Sequence, residues 1–192
     1  MKKGFTLVEL LIVIGILAIL TSATILVLNP VRFFQEARDA QRFADLDSLR
    51  TVLIYTTTDQ NASLESANGG SAFTCAANYG ASVAGATKYI TGARALAHAA
   101  STTVDGSGWV AVDFGTTPPI AKLPVDPTNT PTFNYQYACD NLNKKFELDA
   151  KLESAKYGGC QAGKLDLKDG GSANDPAGGA ACAYEVGTDL TL

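Results

Sequence analysis

The chain has 192 residues, 46% of them hydrophobic, with 15 basic residues against 19 acidic and a formal net charge of −4. That balance offers no general nucleic-acid footprint, and a single histidine argues against a zinc site. No G-x-S-x-G, P-loop, H-E-x-x-H or supported Cys–His pair occurs, so the sequence reads as a non-enzyme; a membrane-anchored extracytoplasmic enzyme is the rival class.

Chain order begins with Met1-Lys2-Lys3-Gly4, followed by an apolar run from Phe5 to Leu28 that one acid, Glu9, interrupts. As a helix this run is roughly 36 Å long, enough to cross about 30 Å of hydrocarbon. Lys2 and Lys3 before the run, with acids dominating after it, orient the N-terminus to the cytoplasm and the bulk of the chain outward. A carboxylate inside such a segment costs about 2.5–3.5 kcal/mol on insertion scales, which makes Glu9 a functional residue by default. If the chain were cut after Gly4, the new α-amino group of Phe5 would lie one helical turn from Glu9 and could neutralise it, in the same subunit or a neighbour. An ordinary signal peptide cut near Thr21-Ser22-Ala23 is the bland alternative, and it leaves Glu9 unexplained.

Lys2-Lys3-Gly4-Phe5-Thr6-Leu7-Val8-Glu9-Leu10-Leu11 resembles the prepilin signal of type IV pilins and type II secretion pseudopilins. The resemblance implies cleavage at Gly4–Phe5 by a prepilin peptidase, N-methylation of Phe5, and a role for Glu9 in subunit register. It also implies as partners other pilin subunits and an inner-membrane assembly platform. The protein would sit as a single pass in the cytoplasmic membrane and then in an extracellular filament. Loss of Lys2 and Lys3 would take the basic count from 15 to 13 against 19 acids, a net side-chain charge of −6.

Asn29-Pro30 should kink or break the helix, with a kink expected. Beyond it Val31–Thr57 keeps a helical pattern: Phe43, Leu46, Leu49 and Leu53 form an apolar stripe, with Arg42, Asp45, Asp47 and Arg50 off it. Asp39–Arg42 and Asp47–Arg50 read as surface i,i+3 pairs worth a few tenths of a kcal/mol. The stripe fits packing on a core better than a short coiled-coil seam. The expected organisation is a leader 1–4, a filament-core helix 5–28, an amphipathic upper helix 29–58 and an extracytoplasmic domain 59–192.

From Asn61 to Gly108 the chain is rich in Ala, Gly, Ser and Thr. Tyr89–Ala100 reads as a short Ala-rich helix, His98 as an exposed residue, and Asn61-Ala62-Ser63 fits the N-glycosylation pattern. Trp109–Phe114 alternates as a strand with Val110, Val112 and Phe114 on one face. Leu123-Pro-Val-Asp-Pro127 is a proline-clamped loop. Phe133–Cys139 and Phe146–Glu153 form a hairpin around Asp140–Lys145, with one apolar face on the helix and every charge on a wet face. Tyr184–Val186 reads as a last edge strand. The Trp-led strand, the Leu-Pro-x-Asp-Pro loop and the Tyr-x-Tyr strand resemble, in that order, the globular half of bacterial pilins and major pseudopilins. The expected fold class is therefore α+β, pilin-like: a long N-terminal helix, its lower half membrane-spanning, against a small antiparallel sheet.

Cys75, Cys139, Cys160 and Cys182 all fall in the outward part and suggest up to two disulfides. Three pairings are open, and a guess is Cys139–Cys160 with Cys75–Cys182. In the glycine-rich tail, Asp166, Asp169 and Asp175 near Gly170-Gly171 could hold Ca²⁺ on a flexible turn, and major pseudopilins carry a calcium loop near their C-terminus. The same residues also serve turns for backbone reasons alone.

Overall fold

The computed structural model describes residues 4–59, 62–66, 72–90, 93–158, 183–190 and 192. It is α+β and falls into two compact units, Met1–Gln35 and Glu36–Leu192. Helix α1, Leu7–Leu28, closes on Asn29, whose φ of 40° and ψ of 76° are left-handed. Asparagine tolerates that conformation better than most residues, and Pro30 then opens helix α2, Pro30–Asp59, at the first position, where its missing N–H costs nothing. The proline therefore divides the helix in two.

In the second unit, α2 lays Leu46, Leu49 and Leu53 into a core that includes Trp109, Tyr135, Tyr137, Phe146 and Leu148. Phe43 packs edge to face on Tyr157 and Tyr184, at 5.3 and 4.7 Å between ring centres. The sheet has five strands in the order β2-β1-β3-β4-β5: β1 Asn78–Ala81, β2 Ala95–Ala99, β3 Tyr135–Asp140, β4 Lys145–Ala150 and β5 Tyr184–Gly187. The hairpin and the last edge strand form as expected, Tyr135 standing opposite Ala150, but Asp140 and Lys145, expected in the turn, pair as the last residues of the ladder. Only β1 and β2 run parallel.

Four local expectations are overturned. Residues 95–99 form strand β2 in place of an Ala-rich helix, because β1 supplies a parallel partner that outweighs weak propensity. His98 is buried against Phe73, its Nδ1 3.1 Å from the Gly108 carbonyl. Trp109, Val110, Ala111, Val112 and Phe114 are buried and Asp113 is exposed, but the stretch is not a strand; its one bridge joins Asp105 and Asp113. It crosses the face of β1 at Gly80, where a Cβ would run into the Trp109 carbonyl, and the Trp109 indole donates to the Pro124 carbonyl at 3.0 Å. Nor is the reverse face of the sheet wet. Tyr79, Ala81, Ile90 and Ala138 form a second core there, and buried Gln136 accepts from the Tyr89 amide while donating to the Thr87 carbonyl.

Arg42, expected on the surface, is fully buried. It donates to Asp39 at 2.8 Å, to both oxygens of Asp126 at 2.6 and 2.9 Å, and to Glu153 at 2.6 Å. Asp126 is the acid of the proline-clamped loop, and Asp39 also accepts the amides of Glu153 and Ser154. One guanidinium thus ties helix, loop and the chain just after β4 together. Burial pushes the Asp126 and Glu153 carboxyls up, but hydrogen bonds from the Arg42, Arg38 and Thr128 side chains outweigh it and hold both below the ordinary carboxylate range. Arg38, partly exposed, adds a forked pair to Glu153.

The disulfide joins Cys75 to Cys139, with Cα atoms 4.8 Å apart, which replaces the guessed pairing. Spacing could not reveal this, because it is the β1–β3 pairing that brings Cys75 beside Cys139. Cys160 and Cys182 lie outside the described residues.

Three sets of measurements check this frame. Arg42→Met should cost the head about 3–5 kcal/mol in denaturant unfolding, since it leaves buried carboxylates unpaired, whereas Arg38→Met should cost no more than about 1 kcal/mol. Asp126 and Glu153 contribute stability that is complete above their unfolded values, about 3.9 and 4.3. It is lost as pH falls through their lower folded values, so the wild-type head should lose stability below about pH 4. The Cys75–Cys139 link closes a separation of 64 residues; removing both cysteines should cost up to about 4 kcal/mol on the chain-entropy model, and non-reducing peptide maps should show the two peptides joined.

Candidate processing and assembly segment

Thr6, in extended conformation, caps α1: its hydroxyl accepts the Glu9 amide at 3.3 Å. Glu9 reaches back, and its Oε2 accepts the Thr6 amide at 2.9 Å and the Thr6 hydroxyl at 2.8 Å. This reciprocal capping box satisfies helix donors that would otherwise be open. The intrachain partner of Glu9 in the uncut chain is therefore Thr6. Thr6-x-x-Glu9 is the sequence signal for it, and reasoning on charge alone missed it.

Leu7–Ile25 is the one helix stretch among the described residues long and apolar enough to cross a membrane, and none of it is buried. Its polar side chains need no water: Thr21, Ser22 and Thr24 donate to the carbonyls of Leu17, Ala18 and Leu20 at 2.7–2.8 Å. Leu7, Leu10, Leu11, Ile14 and Leu17 are all more than half exposed. An apolar surface so large and continuous marks an interaction with membrane or protein. Around Gly4 and Gly15 an added Cβ would meet nothing within 4 Å, so packing within the chain demands glycine at neither position.

The geometry has a counterpart in known proteins. Residues 1–25 match the prokaryotic N-terminal methylation motif. This is the signal of type IV pilins and pseudopilins, and it covers Gly4, Phe5 and Glu9 together. No curated protein and no solved structure gave a match to the chain.

A second group of chemistry-bearing residues lies in the head. Glu147, Asp149 and Glu185 are buried on β4 and β5 with ligand atoms within 4.8 Å of one another, and Asp149 stands directly opposite Glu185. The alternation places Glu147 and Asp149 on the face away from the helix, as expected, but that face is covered. Burial pushes the Glu147 carboxyl above its ordinary value, and the Leu192 amide, donating at 2.7 Å, only partly offsets this. Three carboxyl oxygens at this spacing are the kind of donor set that holds a hard cation, and exposed or buried acids also cluster without one. The tail residues expected to hold calcium, Asp166, Asp169 and Asp175, lie outside the described residues.

A raised folded value means the head binds a proton here more readily than the unfolded chain does. The favourable contribution is complete below about pH 4.3 and lost as pH rises through the folded value. Glu147→Gln should therefore raise the unfolding midpoint at pH 7, with the gain vanishing below about pH 4. A midpoint lowered at pH 7 in the variant, and lowered likewise in the wild type by chelator, would instead show the three acids acting on a bound cation.

Proposed function

We propose that this chain is the structural subunit of a type IV pilus filament, cut after Gly4 and polymerised through α1. The observation that carries the reading is the methylation motif lying on a helix whose whole apolar surface is open and which bears one acid. While the chain waits in the membrane, lipid covers α1 and the Thr6 cap partly satisfies Glu9. Cleavage at Gly4–Phe5 exposes a new ammonium group within reach of that carboxylate. In a bundle of such helices each Glu9 meets a cation at its own depth, which favours the paired form over an acid alone in lipid. Bundling buries the apolar surface that lipid had covered, and the heads, made rigid by the Arg42 network and the disulfide, form the outside. Glycine at position 4 is then a requirement of the peptidase, since nothing in the fold calls for it.

The filament would serve adhesion, twitching motility or DNA uptake. A pseudopilus of a type II secretion system is the second reading, favoured by the Leu123–Pro127 loop, whose Asp126 is locked to Arg42. Mass spectrometry of the N-terminal peptide separates them. Methylated Phe5 abundant in sheared fibres supports the pilus, the same peptide confined to membranes supports the pseudopilus, and a start near Thr24 defeats both. Glu9→Ala should leave insertion and cleavage intact but reduce fibre yield severely, whereas a bulky residue at Gly4 should leave the chain at precursor mass.

A further inference from the structure

The proposed cut falls between Gly4 and Phe5, and the start of α1 decides how that bond is offered to a peptidase. Gly4, Phe5 and Thr6 are exposed and carry neither helix nor strand; α1 begins only at Leu7. Helix propensity does not set this boundary, because Phe5 and Thr6 rank with the Val8 and Ile12 that α1 takes in. The Thr6 side chain sets it. Thr6 is extended, with φ −82° and ψ 151°, and its carbonyl accepts the first helical bond from the Leu10 amide at 3.3 Å. Its hydroxyl accepts the Glu9 amide, also at 3.3 Å. That bond draws on the backbone of residue 9, so it survives Glu9→Ala.

Upstream of Thr6, the next residue suited to cap a helix is Gly4. A helix started there would take the Gly4 carbonyl as its first acceptor, bonded to the Val8 amide, and would wind Phe5 into its first turn. That carbonyl belongs to the scissile bond. Hydrolysis joins a water oxygen to the Gly4 carbonyl carbon, breaks the C–N bond to Phe5 and releases the nitrogen as an amine that carries the transferred proton. The peptidase must bring a nucleophile to one face of the carbonyl and its own donors to the oxygen. An oxygen already held by Val8 and walled by a helical turn satisfies neither need. With the cap at Thr6, the Gly4 carbonyl stays outside the helix, and a Cβ added at Gly4 would meet nothing within 4 Å. Resting on the proposed cleavage at Gly4–Phe5, we infer that Thr6 is a positioning residue for it: the Thr6 hydroxyl stops α1 short of Phe5 and keeps the scissile carbonyl free for the peptidase.

The test uses the full precursor in detergent micelles with purified prepilin peptidase. Initial cleavage rates are read by mass spectrometry, and the conformation of isotope-labelled Gly4 and Phe5 by NMR. Thr6→Val keeps the branched shape and removes the hydroxyl. It should be cut about five-fold more slowly, the size of shift that a lost N-cap causes, with the Gly4 and Phe5 carbon shifts moving toward helical values. Thr6→Ser and Thr6→Asn restore a cap through different groups and should be cut at the wild-type rate. Thr6→Val cut as fast as the wild type overturns the inference, and so does slow cutting of either capping variant. Slow cutting of Thr6→Val with no helical shift also overturns it, since the peptidase would then be reading the hydroxyl itself. Each of these results leaves the filament reading in place, whereas a wild-type precursor that is not cut at Gly4–Phe5 overturns both.

Discussion

An apolar helix with nothing over it is the constraint on which the rest of the account depends. Water tolerates such a surface poorly, at about 25 cal/mol for each Å² left exposed. The chain must therefore keep α1 either in lipid or against other protein. A single carboxylate near the start of that helix makes the choice sensitive to what happens at the N-terminus. In the uncut chain Glu9 leans on Thr6, which lowers the cost of its position without removing its charge. A free amine beside it would cancel that charge. Under the proposed function, cleavage would be the step that turns an anchor into a building block, through one ion pair and a large apolar area.

The head is built on a different principle. Its centre is Arg42, a buried cation that collects carboxylates from α2, from the Leu123–Pro127 loop and from the chain just after β4. Buried ion pairs contribute less to stability than to uniqueness of arrangement, and their partial removal is costly. The network holds three segments in one geometry, the disulfide pins the turn before β1 to β3, and a packed layer covers each face of the sheet. In the proposed filament, a surface that repeats along a fibre would benefit from such a definite shape.

Much of this was legible in the sequence, and the misses have physical causes. The apolar run, the Leu46–Leu49–Leu53 stripe and the hairpin followed from periodicity and turn chemistry, because each element is decided locally, whereas Pro30, expected to kink one helix, begins a second one after a left-handed Asn29. The misses came where distant segments decide. Arg42 looked like a surface residue until Asp126, 84 positions away, closed on it. Glu147 and Asp149 alternate correctly, yet the expectation of a wet face failed, since alternation reports which face a residue shares and not whether that face is covered. Ala95–Ala99 carries weak local preference and took its structure from β1. The capping box was readable all along as Thr6-x-x-Glu9, and attention to the cost of the acid hid its short-range partner.

The most direct test of the central claim is an atomic map of fibres sheared from cells that produce this protein, obtained by cryo-electron microscopy. The account requires a core of parallel α1 helices in which each Glu9 carboxylate lies within ion-pair distance, about 4 Å, of a Phe5 amine. A core built from other segments, or Glu9 side chains far from any amine, would contradict it.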